Sequence, residues 1–443
     1  MYYDPNAQGY YDDQAVAQDT YYGDSGYPQV SAVNRSYEAE GANAYETRGE
    51  RFLQELVRPH RYRHSRPSFY SAYARACHRY EFESGKYAGF AKRDGVVVKT
   101  VGLYDKNADH EVPAESLHNV TVGTPGVTVH LDFDTGSSDL WIWSSELADA
   151  SRYRTHRIYD PYASQTAQHA RGLTWNISYG DGSTANGDVY MDTVNVAGVT
   201  IPYQAVECAR QLSSGFLKDG GNDGLLGLAW PVLNTVQPQR VKTPMENMME
   251  QRLIPEALFT VRLGHGTESS FYSFGYIEPN VTSRPMSWTT VDKSNGFWQV
   301  PSTCYSVRGQ TIMRLHGNTA ILDTGTSLLL VGDDVIENIY NNVPGAVYDE
   351  QEGGWKYPTD AQLPDVWFAV GEKMYLIHPA DFGFGHDGDG YTLGGIQSRG
   401  DSPYDIFGDV FLKNVYAVCE CAHLRPSEWL LIAFRVKSTK DVR

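Results

Sequence analysis

The stretch VHLDFDTGSS (129–138) has a counterpart 189 residues later in NTAILDTGTS (318–327). In both, an apolar run ends in Asp-Thr-Gly followed by a hydroxyl residue: Asp134-Thr135-Gly136-Ser137 and Asp323-Thr324-Gly325-Thr326. Each copy is trailed by an echo. Asp223-Gly224-Leu225-Leu226-Gly227 follows the first, and Asp405-Ile406-Phe407-Gly408-Asp409 the second. A single Asp-Thr-Gly says little, but two copies with matching downstream partners imply a duplicated lobe.

The residue types suit one chemistry. An Asp at a strand end followed by Thr and Gly sets a carboxylate on a tight turn, and the Gly lets another backbone approach closely. If a pseudo-twofold axis relates the lobes, both carboxylates face one gap. Like charges that close share a proton, one group acting as base and the other as acid. Such a pair activates a water against an amide carbonyl without a metal or a covalent intermediate. A phosphatase-type reading, with Asp132 as nucleophile and Mg²⁺ on carboxylates, leaves the second copy unexplained. It also requires alternating strand–helix units, which the sequence lacks. Two Asp that merely cap turns do not explain the double repeat either.

Away from the repeat, 37 Lys and Arg against 54 Asp and Glu give a net charge of −17. A nucleic-acid binder needs a basic face, and no apolar run approaches the roughly 20 residues of a membrane-spanning helix. Neither partner is expected. From about residue 117 the texture is all-β, with β-branched and aromatic runs punctuated by Gly and Pro. Helical patches are few: TPMENMMEQRL (243–253) and GDDVIENIYNNV (332–343), where Asp333 and Asp334 are suited to capping. The five cysteines make no disulfide framework and read as buried thiols, and no metal constellation stands out among them and the 13 His.

The N-terminal part divides by charge. Residues 1–50 hold two Arg against nine acids and form a Tyr-rich polar tail that reads as disordered. Residues 51–93 hold ten basic groups against three acids. This segment reads either as an electrostatic partner for the acidic body or as a solvated basic helix. Lys92-Arg93 closes it as a candidate processing site.

Together LDFDTGSSDLWIWSSEL, WNISYGDGSTANGDVYMDTVNVAGV, DGLLGLAWPVLNTVQP, AILDTGTSLLLV and DIFGDVFLKNVYAV resemble pepsin-like aspartic proteases of the fungal endothiapepsin and aspergillopepsin type, from about Leu117 to Val436. The resemblance implies a bilobal all-β fold, with an N-terminal lobe over 94–290 and a C-terminal lobe over 291–443. It implies that one chain supplies both halves of the site, so a monomer is the expected state. The activity implied is acid endoproteolysis of polypeptides beside large hydrophobic residues, from a zymogen and with no cofactor. Asp134 and Asp323 correspond to the catalytic dyad. Ser137 and Thr326 correspond to the donors on its outer oxygens, and Thr135 and Thr324 to crossed hydrogen bonds between the loops. Tyr179, beside the turn Gly180-Asp181-Gly182, resembles the flap tyrosine, with Trp141 as its support. Phe216 and Leu225 resemble a side-chain pocket, and Asp181 resembles a determinant that tolerates Lys before the cut. In AYARACHRY (72–80), Arg79 and Tyr80 take the place of the propeptide Lys-Tyr, so the chain's own propeptide is an expected partner of the cleft.

The resemblance departs at Thr359 and Thr392, where the family carries a disulfide, and the Glu420–Leu430 stretch differs as well. No signal-peptide pattern opens the sequence. The missing cysteines suit a reducing, intracellular setting, whereas the propeptide-like segment suits a secreted or vacuolar one. A non-catalytic, peptide-binding relative is the alternative, and its expected mark is loss of a dyad Asp or of the flap Tyr. Both are present.

Overall fold

The computed structural model describes residues 52–55, 72–73, 76–77, 79–80, 117–178, 183–218, 222–265, 270–279, 281, 286–350, 352–386, 390–421 and 431–436. Outside them lie the tail 1–50, most of the segment 51–93 including Lys92-Arg93, and the expected flap residues Tyr179, Gly180 and Asp181. Residues 48–443 form one compact unit. The fold is all-β and bilobal, with five sheets among the described residues.

Four strands of the first half surround the first repeat: β1 (Val127–Asp134), β2 (Leu140–Trp143), β3 (Val199–Leu212) and β4 (Gly224–Gly227). β4 runs parallel to β1, with Asp134 opposite Gly227, and antiparallel to β2, with Leu140 opposite Leu226. β2 in turn runs parallel to β3. The second half repeats this with β5 (Thr319–Leu322), β6 (Leu329–Val331), β7 (Ile396–Ser398) and β8 (Asp405–Phe407). β8 is parallel to β5, with Leu322 opposite Phe407, and antiparallel to β6, while β6 is parallel to β7.

The sequence echoes therefore have a structural cause. Each is the strand threaded between the two arms of an Asp-Thr-Gly loop. A Cβ at Gly227 would lie 2.5 Å from the Ser137 carbonyl oxygen, and one at Gly408 would lie 2.0 Å from that of Thr326. Only glycine allows the threading. The strands read as continuous apolar runs because both faces are covered: every residue of β2 and β4 is buried.

A six-stranded sheet joins segments from far along the chain, in the order Phe52–Glu55, Phe271–Phe274, Leu258–Arg262, Val415–Glu420, Leu431–Val436, Ser287–Thr290. It reaches the site from one side. The Tyr272 hydroxyl donates to the Phe133 carbonyl at 3.2 Å, and the His118 ring packs against both Phe133 and Tyr272, at 4.5 and 4.9 Å.

Both expected helical patches form. Pro244–Glu250 starts with a capping box between Thr243 and Glu246. Asp333–Asn341 differs from expectation at its start: Gly332 is the N-cap, and neither Asp333 nor Asp334 caps with its side chain. Asp333 instead accepts from the Ser398 hydroxyl at the end of β7. Its charge still lies in the first turn, where the helix dipole favours it.

The five cysteines are free, but only Cys208, Cys419 and Cys421 are buried; Cys77 and Cys304 are half-exposed. Thr359 and Thr392 face each other with hydroxyl oxygens 3.0 Å apart. A hydrogen bond thus joins the two positions where relatives are expected to carry a covalent link. Converting both to Cys closes a loop of 33 residues and is expected to add about 4 kcal/mol of stability. Guanidinium unfolding of that double variant with and without reductant checks this, since the gain disappears on reduction.

Candidate active site

The two Asp-Thr-Gly turns meet tip to tip. The Thr135 N–H donates to the Thr324 hydroxyl at 3.0 Å, and the Thr324 N–H donates to the Thr135 hydroxyl at 2.9 Å. Each hydroxyl then donates onward across the junction. Thr135 reaches the Leu322 carbonyl at 2.9 Å and Thr324 reaches that of Phe133 at 2.7 Å. Four hydrogen bonds thus cross a buried seam, and each threonine satisfies both a donor and an acceptor of the opposite strand.

The carboxylates are held alike. The Gly136 N–H donates to Asp134 Oδ1 at 2.8 Å and the Ser137 hydroxyl to Asp134 Oδ2 at 2.6 Å. The Gly325 N–H donates to Asp323 Oδ1 at 2.9 Å, and the Thr326 hydroxyl donates to Asp323 Oδ2. Each carboxylate is thereby fixed in orientation. A Cβ on Gly136 would lie 2.4 Å from Asp323 Oδ1, and one on Gly325 2.3 Å from Asp134 Oδ1. The absence of a side chain at both positions lets each carboxylate reach over the opposite turn.

Both carboxylates are fully buried, and a single guanidinium contacts them. Arg79 Nη1 lies 3.0 Å from Asp134 Oδ1 and 2.9 Å from Asp323 Oδ2, while Arg79 Nη2 lies 2.9 Å from Asp134 Oδ2. The Tyr80 hydroxyl donates to Asp323 Oδ2 at 2.7 Å. The Tyr80 ring packs 5.2 Å from Phe297 and 6.0 Å from Tyr404. Ala72, Tyr73 and Ala76 join Tyr80 in a buried cluster with Leu328, Leu330, Phe384 and Leu393.

These surroundings separate the two acids. Burial pushes the Asp134 carboxyl up to about 6, with Asp323 adding to the rise and Arg79 opposing it. Burial also raises Asp323, but Arg79 and the hydroxyls of Thr326 and Tyr80 outweigh it and hold that carboxyl below its ordinary value. With Arg79 in contact, the environment thus pushes the two carboxyls apart, Asp134 upward and Asp323 downward, and the pair titrates jointly.

Trp141, Phe216 and Leu225 share an apolar cluster with Trp175, Ala185 and Val189. The Trp141 ring lies 5.1 Å from Phe216, edge to face, and stacks on Trp175 at 6.0 Å. Reading the sequence passed over Trp175, although it stands four residues before Tyr179 on the same run. It also passed over Asp139, Glu207 and Asn234, which lie buried beside the Asp134 turn. The visible signal for Glu207 was an acid set between apolar Ala205-Val206 and Cys208-Ala209 in β3.

Comparison with known proteins agrees with this geometry. The family model for eukaryotic aspartyl proteases matches residues 116–425. The chain belongs to the eukaryotic aspartyl protease family. Aspartic protease pepA of Arthroderma gypseum is 40% identical over 361 residues, covering 79% of this chain and 85% of the relative. Penicillopepsin-1 of Penicillium janthinellum is 41% identical over 305 residues, 69% of this chain and 91% of its own. Endothiapepsin of Cryphonectria parasitica is 40% identical over 334 residues, 73% and 78% respectively. This aspartyl protease is an aspartic endopeptidase of pepsin-like type.

Thr324→Val keeps the shape of this protease's seam but removes the hydroxyl that serves the Thr135 N–H and the Phe133 carbonyl. Leaving two buried backbone groups unpaired is expected to cost about 2–5 kcal/mol. Thr324→Ser, which restores the hydroxyl, recovers most of that. Denaturant unfolding of the two variants side by side checks the difference.

Proposed function

We propose that this endopeptidase hydrolyses peptide bonds with a water activated between Asp134 and Asp323, works best in acid, and is made as a zymogen whose Arg79-Tyr80 segment blocks the cleft. One observation carries the reading: a single atom, Arg79 Nη1, lies within 3.0 Å of both carboxylates. A water at that point would contact both acids. The ionised carboxylate takes a proton from the water as its oxygen attacks the peptide carbonyl, and the protonated carboxyl donates to the carbonyl oxygen. The same pair then returns a proton to the leaving nitrogen as the C–N bond breaks. Burial strengthens both steps, because the charges act in a site of low dielectric.

Substrate side chains are taken to lie against the Trp141, Phe216 and Leu225 cluster on one side of the dyad. On the other they take the Phe297 and Tyr404 surface now covered by Tyr80. That supports a preference for large hydrophobic residues flanking the cut. Tyr179 and Asp181, on the expected flap, complete the proposed site. The division into lobes at about residue 290 follows the two repeats.

The blocked state has a definite pH dependence. Arg79 binds through Asp323, whose carboxyl it holds below the ordinary range, so its grip is full near neutrality and is lost as pH falls through that depressed value. Protonating Asp134 near 6 is not enough for release, because Asp323 stays charged. Activation therefore begins well below pH 6, and Arg79→Ala is expected to speed it and to move its onset upward. Gel analysis of N-terminal shortening against pH checks this, and an unchanged rate refutes the blocking role. For the dyad, Asp134→Asn is expected to lower cleavage of a denatured protein by at least about a thousandfold. A statine inhibitor should abolish the wild-type activity, and full activity in the Asn variant would refute the mechanism.

A further inference from the structure

A second pair of buried acids lies behind the first. Asp139, five residues after Asp134, and Glu207, on β3, are both enclosed, at 0% and 1% exposure. Asn234 joins them: its Nδ2 donates to Asp139 Oδ1 at 2.8 Å and to Glu207 Oε1 at 3.1 Å. The Thr235 N–H also donates to Asp139 Oδ1 at 2.8 Å. Asp139 Oδ2 and Glu207 Oε2 are buried with no partner at ordinary hydrogen-bond geometry; the two carboxyl groups lie within reach of each other, with the Thr235 side chain beside Asp139 and the Leu140 backbone beside Glu207. Two buried acceptors facing each other require a proton between them.

The charges around the pair reinforce this. Asp134 acts on Asp139 from across the turn, and Cys208 follows Glu207 along β3. β2 faces Glu207 through Trp141, and the strand Thr184–Val196 faces it through Val189. Among the described residues, no Lys, Arg or His forms an ion pair with either acid.

The pair is mechanically tied to the dyad. The segment from Asp134 to Asp139 is fastened to the residues after β4. The Leu228 N–H donates to the Asp134 carbonyl at 2.7 Å, that of Gly227 to Asp139 at 2.8 Å, and that of Ala229 to Ser137 at 2.8 Å. The Ser138 hydroxyl donates to the Trp230 carbonyl at 2.6 Å. Asn234 continues from there, its Oδ1 accepting from the N–H groups of Val236 and Val241. Separation of Asp139 from Glu207 would therefore pull on the turn that carries Asp134.

We infer that Asp139 and Glu207 are positioning residues for Asp134, a proton-sharing clamp that holds the Asp134 turn against β3 and opens when the shared proton is lost. The inference rests on reading Asp134 as a reacting group. Burial raises both acids, Asp139 to about 6 and Glu207 well above the carboxylate range. Groups raised on folding stabilise the fold in acid, and that stabilisation is lost as pH rises through their folded values. The clamp thus sets the alkaline limit of the enzyme from a place that touches no substrate.

The test uses the full chain and two variants, Glu207→Gln and Asp139→Asn, each of which keeps a donor between the side chains and removes one titration. Guanidinium unfolding and peptide cleavage after acid activation are both followed between about pH 5 and pH 8. In the wild type, both stability and kcat/KM fall as pH rises. Each variant is expected to move both falls upward by about one pH unit or more. Variants that fold and follow the wild-type curves overturn the inference. If one variant fails to fold, the other decides. A shifted stability curve in a chain that cleaves nothing supports the clamp and refutes the proteolytic role of the dyad instead.

Discussion

The approach of two backbone turns to hydrogen-bonding distance across a buried seam is the constraint on which the site depends. It places conditions on every residue nearby. Gly136 and Gly325 must lack a Cβ, because each lies under the opposite carboxylate. Thr135 and Thr324 must each donate and accept, because the seam is buried and its backbone groups need partners. Gly227 and Gly408 must be bare so that a strand can pass between the arms of each loop. The carboxylates then meet as a by-product of backbone geometry.

Burial makes those carboxylates more than surface charges. Four acids, Asp134, Asp323, Asp139 and Glu207, lie enclosed within one region of the first repeat and its partner. In such a place charge is governed by proton content. The Arg79 guanidinium offsets charge on the front pair, and a shared proton leaves the rear pair with one negative charge instead of two.

How much of this was legible depended on whether an interaction leaves a repeated mark. The Asp-Thr-Gly copies and their glycine-ending echoes did, and strand threading explains why the echoes exist. Arg79-Tyr80 was legible through resemblance, although the bidentate reach of the guanidinium over both acids was not. Asp139, Glu207 and Asn234 left no mark, because they come together from three elements with no common spacing. The hydrogen bond between Thr359 and Thr392 was readable only as two absent cysteines. Asp333 read as a helix cap, but Ser398, brought in by β7, supplied a better partner.

The separation of contacts along the chain has a consequence for how the molecule is made. Arg79 precedes Asp134 by 55 residues and Asp323 by 244, and the seam between the turns spans 189. Contacts so distant in sequence form late, after long loops have closed. During synthesis Arg79 and Tyr80 leave the ribosome before Asp134, and Asp323 follows Asp134 only after a further 189 residues. No partly made chain holds a complete site, and when the site does close, the group that occupies it is already attached and waiting. By the order of translation alone, the two carboxylates never meet before the guanidinium that contacts both has been made in the same chain.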